Sequence, residues 1–520
     1  MSPSEDSNPD QREVIAFLSD PASYGPDADK VTRCETHGSI VFLAGDRAYK
    51  LKRAVKFPYM DYSTIHRREQ MCLRELEINR RTAPTLYLCV LPMVWDRSNK
   101  LRFGTTGERA RVADWVVVMQ RFEQELLLEE MRKAGKLTCP LMRSIAETIA
   151  DFHARAEPTR GFGGAHAIGE VIDENAAILR SRVGRPFGVE TVRSYCEHAA
   201  ASLEKIASLL DIRRNQGRVR RCHGDLHLNN ICLIGERPVL FDAIEFNDAF
   251  SCIDLLYDLA FLLMDLIHHG LHEHANTVLN RYLELTEEHS GLAVLPLFLS
   301  CRAAIRAHTS VAAAEAVEDG LISEANRQRA SALLDQALFH LAPASPRLVA
   351  IGGPSGTGKS TVARALAPFL GPAPGAVVIR SDVVRKQLMG VEETVRLPET
   401  AYIASVTKAV YELICERAAT ALAAGFTVIA DAVYGDENER EALCRVAEGA
   451  HVPFRGIWLA APRQVLESRI QSRRDDASDA TVAVLRAQLE FISVPEDWTS
   501  VRAAGAAEKT ATEVRRALGG

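Results

Sequence analysis

The chain has 520 residues, 47% hydrophobic and 25% charged, with a formal net charge of −6. That length exceeds one ordinary core and the balance is that of a soluble globular protein, so at least two domains are expected. The weakly acidic charge gives no global basic field, which disfavours duplex nucleic acid or an anionic membrane surface as the main partner and favours small molecules.

Met1 to Asp10 is polar and acidic, without the charged start and apolar stretch of a secretory leader, and a cytoplasmic location is expected. The runs Ser39 to Leu43 and Ala48 to Leu51 flank Ala44-Gly45-Asp46-Arg47 and predict a β-hairpin around a glycine turn. Strand side chains repeat every two residues, so the second strand delivers Lys50 and Lys52 to one face, and spacing alone does not choose between them. Ser63 or Thr64 caps a predicted helix that runs to about Thr82 and carries Glu69, Glu75 and Glu77. β-rich sequence continues to about Val94, and mainly helical sequence follows. Val219 to Asn230 reads as a β-like entry into a loop holding His223-Gly224-Asp225 and Asn230; Pro238 to Phe241 is a strand leading into Asp242. The apolar stretch Leu255 to Ile267 is broken by Asp258 and Asp265, is too short to span a bilayer, and predicts a buried core helix. Its Asp258, with Asp254 before it, is expected to brace the loop, and His227 to be structural. Eleven cysteines without a C-x-x-C pair point to reduced thiols. Cys222 and Cys232, which flank the loop, read as small buried hydrophobes rather than zinc ligands or redox switches.

Phosphoryl transfer requires these residue types together. Asp225 can orient or deprotonate an attacking hydroxyl, Asn230 and Asp242 can offer oxygens to Mg²⁺ on the phosphates of ATP, and a lysine held by a helix glutamate can grip those phosphates. In residues and order, Ala48-Tyr49-Lys50, a helix glutamate, His223-Gly224-Asp225-Leu226-His227-Leu228-Asn229-Asn230 and Phe241-Asp242 resemble the aminoglycoside phosphotransferase family, relatives of protein kinases. The resemblance implies a bilobal kinase-like fold with Lys50 as the phosphate lysine, Glu75 as its partner with Glu69 as the competing candidate, Asp225 as catalytic base, and Asn230 and Asp242 as metal ligands. No G-x-G-x-x-G precedes Lys50, so the turn over the phosphates falls to Glu35-Thr36-His37-Gly38-Ser39.

A break follows at Ala342-Pro343-Ala344-Ser345-Pro346, dividing the chain into 1–340, a linker at 341–347 and 348–520. The linker is short enough to expect contact between the halves. After it, strands and helices alternate, beginning with the apolar strand Leu348 to Ile351 and Gly353-Pro354-Ser355-Gly356-Thr357-Gly358-Lys359-Ser360-Thr361, where a P-loop belongs. The glycines let backbone amides converge on phosphates, Lys359 reaches the β and γ oxygens, and Ser360 ligates Mg²⁺. Ala376 to Asp382 and Phe426 to Asp431 read as strands ending in carboxylates, and Arg469 and Arg473 share one face of a helix opened by Pro462.

This half resembles the P-loop kinases grouped with polynucleotide kinase, zeta toxin and gluconate kinase. The resemblance implies a parallel-sheet fold with Asp382 as base, Arg385 as a substrate-binding residue, Asp431 supporting Mg²⁺ and Arg473 stabilising the transferring charge. Together the two resemblances imply an α/β and α+β protein of two domains that uses ATP and Mg²⁺ to phosphorylate hydroxyls of small molecules, a nucleotide or polynucleotide end being compatible with the second half. Two other readings stay open: a P-loop ATPase module regulating one active kinase domain, and a P-loop kinase served by a non-catalytic N-terminal binding domain.

Overall fold

The computed structural model describes residues 11–26, 28–105, 107–108, 110–184, 186–315, 320–472 and 477–519. Two compact units result. One comprises Met1–Leu137, Asp151–Ala167 and Leu210–Leu262, the other Thr138–Ala150, Ile168–Leu209 and Leu263–Gly520. Residues 138–150, 168–209 and 263–340, all before the expected linker at 341–347, group with the P-loop half.

The first unit holds a six-stranded antiparallel sheet in the order Val31–Glu35, Ser39–Ala44, Arg47–Lys52, Arg111–Gln120, Tyr87–Trp95, Leu101–Phe103. The expected hairpin forms, with Ala44 opposite Arg47 and Gly45 at φ 55°. Alternation then sorts the side chains. Phe42, Leu51, Val116 and Val118 pack with Val14 and Leu18 on one face, while Leu43, Ala48 and Val117 pack with Cys72 on the other. Lys50 and Lys52 share the parity of Ala48, so both point to the side of the helix Ile65–Asn79. That helix begins where predicted, the Thr64 hydroxyl accepting from the Arg67 amide.

The strand Arg111–Gln120 corrects the expectation of mainly helix after Val94. Val116 to Met119 are all buried, two on each face, so the run lacks the apolar-polar alternation by which a half-buried strand is recognised. Further along, Val219–Arg221 pairs with Cys252–Asp254, and Ile231–Ile234 with Arg237–Leu240; these two ladders frame the His223 to Asn230 loop.

In the second unit, five parallel strands run in the order Val377–Arg380, Val428–Asp431, Leu348–Gly352, Phe454–Ala460, Thr499–Arg502. The first strand is an edge, and the helix His272–Thr286 covers it. Asn280 accepts from the Val378 amide at 2.7 Å, and Asn276 donates to the Pro374 and Ala376 carbonyls at 2.8 and 3.0 Å. Helix Leu295–Glu315 packs along Gly320–Leu341. The stretch Glu288–Glu315 is long and apolar enough to cross a membrane, but 72% of its most apolar part is buried inside the protein.

Candidate active sites

In the first unit, the Lys50 ammonium lies 2.8 Å from Glu75 and 2.5 Å from Asp242. Lys52 is enclosed at 2.6 Å from Glu75 and 2.5 Å from Glu245, which also accepts from the Tyr62 hydroxyl. The two lysines left equivalent by spacing are thus unequal. Lys52 is buried among fixed partners, whereas Lys50 reaches Asp242, whose side chain is 42% exposed. Glu75 is the carboxylate they share, and Glu69 instead faces His66 at 3.7 Å. Burial alone would raise the Glu75 pKa, but the two ammoniums outweigh it and hold the carboxyl down to about 2. By the same attraction, both lysines stay protonated despite burial.

The loop carrying Asp225 is pinned from below. Asp258 accepts from the His223 and Gly224 amides at 3.1 and 2.8 Å, and its carboxylate lies 3.1 Å from His153. Asp254 holds Arg213 at 2.8 Å. Gly224 sits at φ 86°, where an added Cβ would meet the Phe250 carbonyl oxygen at 2.7 Å. Asn230 donates to the Asp225 carboxylate at 2.9 Å and to its carbonyl at 2.8 Å, and His227 lies 3.3 Å from the same carboxylate. Asp242 follows its strand in the left-handed region, φ 62°, its amide donating to the Tyr87 hydroxyl and the next amide to Asn79. Asp242 and Asn230 are joined through the Phe241 amide, which donates to the Asn230 carbonyl at 3.0 Å. Carboxylate and amide oxygens are the hard donors that Mg²⁺ takes, so this set fits that ion.

In the second unit, the P-loop joins Leu348–Gly352 to the helix Lys359–Leu366, with Gly353, Gly356 and Gly358 at φ 131°, 86° and 87°. A Cβ at Gly353 would stand 2.4 Å from the Leu459 carbonyl, so the close backbone approach itself demands glycine. Lys359 donates to the Gly353 and Pro354 carbonyls at 2.9 and 3.2 Å, Thr357 to that of Pro354, and the Ser355 amide to the Gln488 side chain. Ser360 donates to Asp431 at 2.5 Å. This hydroxyl and carboxylate again fit Mg²⁺, and the glycine cradle fits a polyphosphate. Burial raises the Asp431 pKa, opposed by Lys359, Arg380 and the Ser360 hydroxyl.

The loop opens into a cavity of about 830 Å³ that Thr361, Asp382, Arg385, Asp431 and Glu439 also line. Asp382 corrects the strand-end expectation: the strand stops at Arg380, and Asp382 sits in the first turn of the helix Ser381–Leu388. Arg385 is more committed than predicted. It donates to the Ala401 carbonyl at 2.7 Å and stacks 4.8 Å over Tyr402. Arg469 likewise grips the Ala503 and Gly505 carbonyls at 2.8 Å. Arg473 lies outside the described residues.

Comparison with known proteins finds a family match in each half of the chain. Residues 116–295 match the signature of a phosphotransferase enzyme family, and residues 348–495 that of an AAA domain. Uncharacterized proteins of Mycobacterium tuberculosis and Mycobacterium bovis are each 31% identical over 461 residues, covering 87% of this chain and 88% of theirs. The chain belongs to their family. It joins an aminoglycoside phosphotransferase-like domain to a P-loop kinase-type domain, so both halves are of the nucleotide-binding, phosphotransfer kind. Among solved structures, a gluconokinase from Sinorhizobium meliloti is 22% identical, covering 34% of this chain and 93% of that one, with TM-score 0.26. A choline/ethanolamine kinase family protein from Mesorhizobium loti is 14% identical over 63% of this chain and 98% of its own, TM-score 0.37. A thermostable aminoglycoside phosphotransferase mutant is 13% identical over 62% and 98%, TM-score 0.38.

Other side chains of these domains make contacts beyond those read from the sequence. In the P-loop domain, burial raises the Glu439 carboxyl to about 7 beside Tyr411, and Asp479 ties Lys386, Tyr402 and the Leu397 amide together. Each of these contacts depends on folding distant segments together. In the phosphotransferase domain, ligand atoms of His153, Cys222 and Asp258 lie within 4.8 Å of one another. Yet both Asp258 oxygens hold loop amides, and burial pushes the Cys222 thiol well up, away from the thiolate a metal needs. Cys232 is also buried and free, as read from the sequence.

Proposed function

We propose that the chain is a double kinase in which each domain transfers the γ-phosphoryl group of ATP to a hydroxyl of a small-molecule acceptor, in the cytoplasm and with Mg²⁺. The observation that carries the reading is the cavity in which the P-loop, the Ser360–Asp431 pair and the Asp382 carboxylate meet. In the P-loop domain, Lys359 and the loop amides hold the phosphates and Asp382 takes the acceptor proton. The acceptor oxygen forms a bond to γ-phosphorus as the bridging oxygen to β-phosphorus leaves with ADP. Arg385, already fixed by Ala401 and Tyr402, orients the acceptor or its loop. In the phosphotransferase domain, Lys50, set by Glu75, grips the phosphates, Asp225 takes the proton and Asn230 orients it; Asp242 and Asn230 would hold Mg²⁺. Bound at either site, the ion neutralises charge on the phosphates.

The carboxylates have different duties, so their substitutions fail differently. Asp382→Asn and Asp225→Asn should each retain nucleotide binding and lose transfer in their own domain by about a hundredfold or more. Asp242→Ala should remove Mg²⁺-dependent binding from its domain. Titration of the full chain with a fluorescent ATP analogue, beside a transfer assay, separates these outcomes. A large loss of nucleotide affinity in Asp382→Asn would reassign that residue to the metal.

A further inference from the structure

A second cavity in the first unit, about 580 Å³, has no part in the chemistry above. Four arginines line it, Arg74, Arg81, Arg155 and Arg221, against the exposed carboxylates Glu77 and Glu157. Asp248 and Asp151 supply the ion pairs of three of them. Arg74 and Arg221 share one oxygen of Asp248, and the buried Nε of Arg74 makes no hydrogen bond. Among the described residues Arg81 donates only to backbone carbonyls, of Ile78, Arg221 and Cys222 at 2.9, 2.7 and 3.3 Å, and lies 5.2 Å over Phe152. Among the described residues it forms no salt bridge. Burial lowers its proton affinity, opposed by Cys222 and Asp258 and reinforced by neighbouring Arg221. Among the described residues Arg155, two-thirds exposed, pairs only with Asp151.

We propose that this pocket binds a phosphate-bearing small molecule. Guanidinium forks match phosphate oxygens in pairs, and the volume is that of a small-molecule site. If Arg81 served only to hold carbonyls, a neutral amide could donate to them; a desolvated charge crowded by Arg221 is what an incoming anion would relieve. Hydrogen bonds and chain connectivity link the pocket to the site described above. Arg74 lies one residue from Glu75, and Arg81 holds the two carbonyls immediately before His223.

The test must exclude the P-loop, which would bind the same probe. Inorganic pyrophosphate is titrated by calorimetry, without divalent metal, into the full chain carrying Lys359→Ala and Asp242→Ala. The expected result is saturable binding that persists in this background and weakens at least tenfold when Arg155→Glu is added. Arg155→Glu alters an exposed pair on a helix surface, where a like-charge contact costs little, and circular dichroism checks that the fold is kept; Arg74→Gln should act in the same direction. The proposal is overturned if pyrophosphate binding disappears with Lys359→Ala, or if it persists unchanged through Arg155→Glu and Arg74→Gln together.

Discussion

Lys50 and Lys52 stand two residues apart on one strand face and touch the same carboxylate, yet their substitutions should separate cleanly. Lys52→Met leaves Glu75 and Glu245 short of a buried countercharge. Such losses cost about 3–5 kcal/mol, so the expected outcome is a drop in thermal stability of the first unit. Lys50→Ala leaves Glu75 paired with Lys52 and removes the ammonium nearest the open carboxylate Asp242. It should unfold near the wild-type temperature while losing nucleotide affinity, as read by calorimetry. The Glu75 carboxyl also sets an acid limit. Its folded pKa, about 2, lies below the ordinary 4.5, so its contribution is complete above about pH 4.5 and is lost as pH falls through 2. The shift corresponds to about 3 kcal/mol, counted once for the carboxylate and its lysines. Glu75→Gln should therefore flatten the fall in unfolding free energy between pH 5 and 2, measured by urea titration at each pH.

Among the elements, those with a local cause were legible in the sequence. The hairpin at Gly45, the Thr64 cap and the strand before Gly353 each follow from a few adjacent residues. The strand Arg111–Gln120 was not legible, because burial on both faces erases its period. Asp382 was misplaced by one element because Ser381 begins a helix directly at the strand end. Lys50, Asp225, Asn230 and Asp242 could be named from motif order. The choice of Glu75 over Glu69 needed the observed ion pairs, and the commitment of Arg385 and Arg469 to carbonyls depends on segments far apart in the chain. The cover of the edge strand Val377–Arg380 by Asn280 was equally invisible, and it is testable. Asn280→Ala leaves the Val378 amide without its acceptor, which should cost about 1–3 kcal/mol. Thermal unfolding should register this loss while nucleotide binding at the P-loop stays within twofold.

Across the whole molecule, two unrelated phosphate-binding architectures lie on one chain, and the helices before the linker belong to the compact unit that holds the P-loop. The central claim is that each architecture transfers phosphate with its own carboxylate. A metabolite extract incubated with γ-labelled ATP and the full chain tests this directly, with Asp225→Asn, Asp382→Asn and the double variant run alongside. Two sets of labelled products are expected, one lost with each single variant and both lost in the double variant. Labelling that survives the double variant, or that disappears entirely with either single variant, would contradict it.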